Sequence, residues 1–346
     1  MRYSKLIIGC ILSSGIVISM FLAVSYAQQA PKPIELQFNF LWPPQAQQVT
    51  DGYAPWFAEI EKRTGGRVKI NPHYLNSLAP IQEAYNAALT GLADISEIDL
   101  QLHPGMFPMY DVVYYGFPST KYSRFTRNFW ILQKEFPKMR EEWNKVKLLY
   151  AWSMGPNRIE SVKPVRKLED AKGIKLAGMG DKNPRYSQAL GFTGVSLPPM
   201  EVYTAIDKGV VDGATMTSDS LVSFRLAEVV KYHTYVSIGG TLFVVTMNKA
   251  KWDSLPSDIQ KIFDDVSEKW AMDFWDNAMF KMEKKSIQYG IDHGVEAIDL
   301  SSEETAKWDP KIKPLQEKYI ESLEKKNLPG KELIDRYIKL IDQNEM

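Results

Sequence analysis

The sequence predicts an α/β protein built as two lobes, each on a sheet whose strands alternate with helices. Three observations predict this. Residues 168–213 pack two short βαβ-like units into one run, residues 34–98 read as a β-α-β-α-β series, and 346 residues at 45% hydrophobic and 24% charged are enough for two cores. Strands alternating with helices imply parallel sheets, and such sheets bind ligands beyond the carboxyl ends of their strands.

At the N-terminus, Arg2 and Lys5 precede an apolar run from Leu6 to Val24 that ends in Ser25-Tyr26-Ala27. This is the pattern of a cleaved secretory leader over residues 1–27. An uncleaved anchor is the alternative, since the run approaches bilayer-spanning length. Cys10, the one cysteine, lies inside this leader, so the mature chain has no disulfide, no thiol nucleophile and no cysteine-bound metal. A formal net charge of zero, without a basic stripe or an acidic tail, excludes nucleic acid or an anionic membrane as the main partner.

Ile34 to Leu41 alternates as a strand and runs into the rigid turn Trp42-Pro43-Pro44-Gln45. Apolar residues at Val49, Tyr53, Trp56, Phe57 and Ile60 have helical spacing, and Gly65-Gly66 ends that helix. Val68 to His73 is a strand, Pro80 opens a second helix stopped by Gly91, and Ala93 to Ile98 is a third strand. Phe125, Phe129, Leu132, Phe136, Met139 and Trp143 give one amphipathic helix ahead of the strand Val146 to Trp152. Residues 153–165, punctuated by Gly155, Pro156 and Pro164, read as an irregular crossover between lobes.

The second lobe then repeats the alternation. Strands are expected at Ile174 to Ala177, Val195 to Leu197 and Val210 to Thr215, with helices at Asn183 to Leu190, closed by Gly191, and Glu201 to Lys208, closed by Gly209. The loops Gly178 to Asn183 and Met216 to Asp219 should therefore face a cleft. After Asp219 a helix carries Leu221, Val222 and Leu226, followed by strands at Tyr235 to Ile238 and Leu242 to Met247, the latter re-entering the first sheet. Pro256 to His293 lacks an interior proline and would reach roughly 54 Å as one helix, so it either kinks or spans both lobes. Ser301 and Glu304 fit a capping box, and the helices after it are broken at Pro310, Pro314 and Pro329-Gly330.

Histidines 73, 103, 233 and 293 lack partners at metal-binding spacing, so no metal or other cofactor is expected. There is no G-x-S-x-G and no G-K-[ST], and Gly178-Met179-Gly180 lacks the third glycine of a dinucleotide loop. What remains is a set of polar and aromatic groups on converging loops: Trp42, Gln45, Glu97, Trp152, Arg158, Arg185, Met216 and Asp219. Aromatic walls with a few fixed polar groups are the usual form of a small-molecule site. Bland readings stand beside these: a surface pair of Arg158 with Glu160, an exposed helix position for Arg185, a core-edge carboxylate at Glu97, and a helix cap at Asp219.

Asp170, Lys172, Gly173, Lys175, Leu190, Gly191, Glu201, Tyr203, Ala205, Gly209, Val211, Asp212 and Gly213 fall on a pattern D-L-K-G-L-K-I-R, L-G-A, E-x-Y-x-A-L-x-x-G-x-V-D-G. This resembles the solute-binding subunits of tripartite ATP-independent periplasmic (TRAP) transporters of the DctP type. The run W-F-A-E-I-E-K-R-T-G-G-R-V-K-I, then G-L-A-D-I and P-G-M-F-P, is similar to further segments of that family. The resemblance implies a type II-like, two-lobed periplasmic binding fold with a long lobe-spanning helix and C-terminal helices. The implied lobes are 31–153 plus 243–275 and 154–242 plus 276–346.

It also implies capture of a small organic acid, delivery to TRAP membrane permease subunits, a periplasmic location and no catalysis; a monomer is expected. The family's substrate-pairing arginine falls on Ala177, whereas Arg158, in Gly155-x-x-Arg158, resembles its second one. Either Arg158 or Arg185 holds a carboxylate, or the solute is neutral or aromatic, which Trp42, Trp152 and Met216 would suit. A periplasmic enzyme using Glu97 and Asp219, or a protein presenting its ligand to a sensory receptor, are the competing classes.

Overall fold

The computed structural model describes residues 32–116 and 122–346. The expected leader, with Cys10, lies outside the described residues. The strands are β1 (Ile34–Asn39), β2 (Val68–His73), β3 (Ile95–Asp99), β4 (Val146–Pro156), β5 (Arg158–Ser161), β6 (Lys175–Gly178), β7 (Thr193–Ser196), β8 (Gly213–Met216), β9 (Tyr232–Tyr235), β10 (Gly240–Asn248) and β11 (Glu296–Asp299). They form two sheets, ordered β2-β1-β3-β10-β4 and β11-β9-β5-β8-β6-β7.

Neither sheet is wholly parallel. In the first, β10 runs against β3 and β4; in the second, β5 runs against β8 and β9. The remaining pairs are parallel. These two odd strands are the ones that the chain carries from sheet to sheet. β4 becomes β5 across Asn157 alone, and β9 returns as β10 through residues 236–239. A strand that enters a sheet from the side of its neighbours' carboxyl ends must run against them. Both crossings therefore set the carboxyl ends of the two sheets face to face.

The crossover expected as irregular is consequently strand over most of its length, because β4 keeps pairing with β10 up to Pro156 and β5 at once pairs with β8 and β9. Tyr235 to Ile238 is not a strand: β9 ends at Tyr235, while Val236 and Ile238 are buried in the second lobe's core as the chain turns to cross. The helix expected over 125–143 breaks at Phe136 (φ −116°, ψ 85°), since Pro137 disfavours helical geometry in the residue before it. Pro314 sits inside the helix Asp309–Glu324 instead of ending it, at the cost of the one backbone hydrogen bond that its missing N–H would make.

The long helix spans both lobes. It runs from Ser257 to Asp292 with a π-helical turn at Trp270–Phe274. Ile259, Phe263 and Trp275 join the first lobe's core, and at the far end Gly290 lies against Leu221 of the second. A second π turn, Val49–Tyr53, meets the first: Trp270 Nε1 donates to the Gly52 carbonyl at 3.2 Å. A Cβ at Gly52 would fall 2.2 Å from the Trp275 ring, so the close approach requires glycine.

Ser301 accepts from the Glu304 amide as the capping box requires, whereas the Glu304 carboxylate accepts from Leu168 N–H. The C-terminal helices do not stay with the second lobe. Trp308 and Ile312 pack in its core, but Tyr319, Leu323, Leu333 and Tyr337 join Ile98, Phe129 and Leu132 in a core of the first. Their apolar faces cover the side of the first sheet away from the long helix.

Candidate functional site

The facing carboxyl ends flank a cleft of about 660 Å³, the open solvent at its mouth included. Its wall draws on each place where the sequence ends a strand in a marked loop: Leu41 and Trp42 after β1, Met154 on β4, Gly178 and Met179 at the end of β6, Met216 and Thr217 at the end of β8. The carboxyl-end rule alone supplies this convergence.

One wall is aromatic. Trp42 meets Phe243 edge-on at 5.6 Å, Phe243 stacks on Trp152 at 4.8 Å, and Trp152 stacks on Trp275 of the long helix at 4.1 Å. Trp42 and Phe243 line the cleft, whereas Trp152 is wholly buried behind them. Glu97 fixes this wall from the rear. Its carboxylate accepts from Trp42 Nε1 at 3.2 Å, from Leu41 N–H at 3.4 Å and from the Tyr53 hydroxyl, which in turn accepts from Trp152 Nε1 at 2.8 Å. Burial pushes the Glu97 carboxyl up to about 7, although its three donors pull the other way.

Two carboxylates line the cleft itself. Asp99, at the end of β3, accepts from the Gln101 N–H at 2.9 Å, and burial pushes it up to about 7. Asp219 accepts from the Thr217 hydroxyl at 2.6 Å, and burial pushes it up to about 6. It starts the short helix Ser220–Ser223 without its side chain capping it.

Where the lobes meet, four buried side chains close a ring of hydrogen bonds. Gln101 Nε2 donates to Thr241 Oγ1 (3.2 Å), Thr241 Oγ1 to Asn157 Oδ1 (3.3 Å), Asn157 Nδ2 to Asn183 Oδ1 (3.4 Å), and Asn183 Nδ2 to Gln101 Oε1 (3.2 Å). Thr241 belongs to β10 of the first sheet and Gln101 to the turn just after β3, Asn157 is the joint between β4 and β5, and Asn183 lies on a helix of the second lobe. Each amide gives one N–H and receives one within the ring, which leaves each a second N–H outside it.

Of the residues singled out in the sequence, Trp42, Met216 and Asp219 line the cleft; Glu97 and Trp152 stand behind its wall. Arg158 is buried, and its Nε donates to Glu283 Oε1 of the long helix at 3.0 Å. The pair with Glu160 does not form, because His233, opposite Glu160 on β9, takes that carboxylate at 2.7 Å. Gln45 is exposed and off the cleft. Arg185 is exposed too, paired with Asp181 at 3.1 Å. Asn183, two residues earlier, faces the cleft, and two residues on a helix are about 200° of rotation, which turns Arg185 outward.

Sequence reasoning missed Asp99, Gln101, Asn157, Thr241 and Phe243. The signal for Asp99 and Gln101 was there, since they follow the third strand and the same carboxyl-end rule applies to it.

Residues 38–322 match the family described as bacterial extracellular solute-binding protein, family 7, DctP. A solute-binding protein of Albidiferax ferrireducens (strain T118) is 30% identical over 268 residues, 72% of this chain and 75% of that one. The crystal structure of a TRAP periplasmic solute-binding protein from Desulfovibrio salexigens DSM2638 superposes with a TM-score of 0.82 at 26% identity, covering 90% of this chain and 96% of that chain. That of a TRAP solute-binding protein from Rhodoferax ferrireducens T118, in complex with copurified benzoate, gives 0.80 at 21%, covering 90% and 98%. With its two facing sheets, its lobe-spanning helix and a match running over most of its length, this chain belongs to the DctP family of TRAP solute-binding proteins.

Proposed function

We propose that this chain is exported to the periplasm, loses residues 1–27, captures one small organic acid between its lobes as a monomer and passes it to TRAP membrane permease subunits. The single observation that carries this reading is the cleft itself, formed by loops from both sheets at the carboxyl ends of their strands. The aromatic wall of Trp42 and Phe243 suits a solute with a ring or an apolar body. The benzoate of the Rhodoferax protein is of that kind.

We propose lobes that divide near 153/154 and 242/243, close to the joints at Asn157 and residues 236–239, with closure as a hinge motion there. Binding rather than catalysis is supported by Glu97, whose oxygens are occupied by three donors behind Trp42 and are not free to serve as a base. A second reading, a neutral or amine-bearing solute, is favoured by the absence of any Lys, Arg or His among the described residues lining the cleft.

Thermal-shift titration of the mature protein with a panel of organic acids, alcohols and amines tests the proposal. Solute binding to the folded state raises Tm with concentration by mass action. Saturable shifts with organic acids are expected, without chemical change in the recovered solute. Turnover of the solute would identify an enzyme, and shifts confined to alcohols and amines would favour the second reading.

A further inference from the structure

We propose that the solute presents hydrogen-bond donors, hydroxyl or ammonium, to Asp99 and Asp219, so that the cleft selects hydroxy or amino acids over the corresponding plain acids. The proposal rests on the capture reading above and names the solute class of the same cleft.

Asp99 ends β3 of the first sheet and Asp219 lies in the loop after β8 of the second, so the cleft carries a carboxylate on each side. Among the described residues that line it, these two are the charged ones. The nearby cations are engaged elsewhere: Lys182 with Asp111 at 2.8 Å, Arg185 with Asp181, and Arg158 with Glu283. A plain acid would therefore bring its charge between two carboxylates, with no counter-charge among the described residues of the wall.

A hydroxyl or ammonium on the solute changes that balance. Carboxylates accept, and a donor that reaches them in a buried site forms the strong, charge-assisted kind of hydrogen bond. Burial raises both groups because it penalises their charged forms, and a further donor from the solute offsets part of that penalty. The acid end of the solute can turn to the amides of the ring, since Gln101, Asn157 and Asn183 each commit a single N–H to it and an amide carries two. A site built to hydrogen-bond a solute hydroxyl or amine rejects the analogue without it far more strongly than an apolar pocket rejects a missing methylene.

Isothermal titration of the mature chain, freed of copurified solute, with matched sets tests this: phenylacetate, mandelate and phenylglycine, then propionate, lactate and alanine. Within a set the α substituent alone changes, from hydrogen to hydroxyl to ammonium. We expect at least one donor-bearing acid to bind 10-fold or more tighter than its plain partner, and Asp99→Asn and Asp219→Asn each to reduce that ratio several-fold. The wild-type ratio stands whether or not the variants fold. Equal or tighter binding of the plain acids would overturn the proposal and leave the capture reading intact. Failure of all six, together with the wider thermal-shift panel, would overturn both.

Discussion

Trp42 reaches the cleft wall because Glu97 holds its indole: Nε1 donates to the buried Glu97 carboxylate at 3.2 Å. Glu97 is thus a positioning residue, and the Tyr53 hydroxyl and the Leu41 N–H share its oxygens. Glu97→Ala leaves three donors without their acceptor, at about 1–3 kcal/mol for each one that stays buried and unpaired. We expect a solute affinity at least 10-fold weaker by titration calorimetry, together with a lower Tm. Unchanged affinity would mean that Trp42 needs no such support.

Buried carboxylates make stability depend on pH. Burial penalises the charged form and pushes Glu97 and Asp99 up to about 7, and Asp219 and Asp276 up to about 6, all above their ordinary values. Between pH 5.5 and pH 8 the folded state binds more protons than the unfolded one, so stability falls as pH rises through that window. Calorimetry should give a lower Tm at pH 8 than at pH 5.5. Glu97→Gln should flatten the difference by on the order of 1–2 kcal/mol.

The ring of Gln101, Thr241, Asn157 and Asn183 ties a helix of the second lobe to the first sheet. Asn183→Ala removes one member and leaves the Asn157 amide N–H and Gln101 Oε1 unmatched in the closed form, about 1–3 kcal/mol for each group still buried. The open form, where water reaches these groups, escapes that penalty. Small-angle scattering of the solute-free variant should show a larger radius of gyration than wild type, and solute should bind more weakly.

Arg158 and Glu283 form a buried pair 3.0 Å apart, 125 residues apart in sequence. Breaking a buried pair by removing one partner costs roughly 3–5 kcal/mol, whereas replacing both with apolar groups is often close to neutral. Glu283→Leu alone should destabilise strongly in urea unfolding, and Arg158→Met with Glu283→Leu should recover part of the loss. Additive losses would show that the two do not act as a pair.

The parts legible in the sequence are those set by local signals. Gly91, Gly191 and Gly209 end helices with positive φ as expected, and the alternating runs at β1, β2 and β6 place strands to within a few residues. The cleft follows from one rule about carboxyl ends, which is why Trp42, Met179 and Met216 reach it. Long-range pairing was not legible. Nothing near Arg158 in the chain marks Glu283 as its partner, and nothing near Glu160 signals that His233 will claim it. The sheets came out mixed because strand direction depends on which side the chain enters, a property of the crossings at Asn157 and residues 236–239. In the sequence Trp152 reads as the end of a strand and so as part of the site, but β4 extends to Pro156 and carries that indole into the core.

The most direct test of the account is a crystal structure of the mature protein with the tightest-binding solute of the titration panel. We expect electron density for that solute between the lobes, against Trp42 and Phe243 on one side and Met179 and Asp219 on the other. Density anywhere outside this cleft would contradict it.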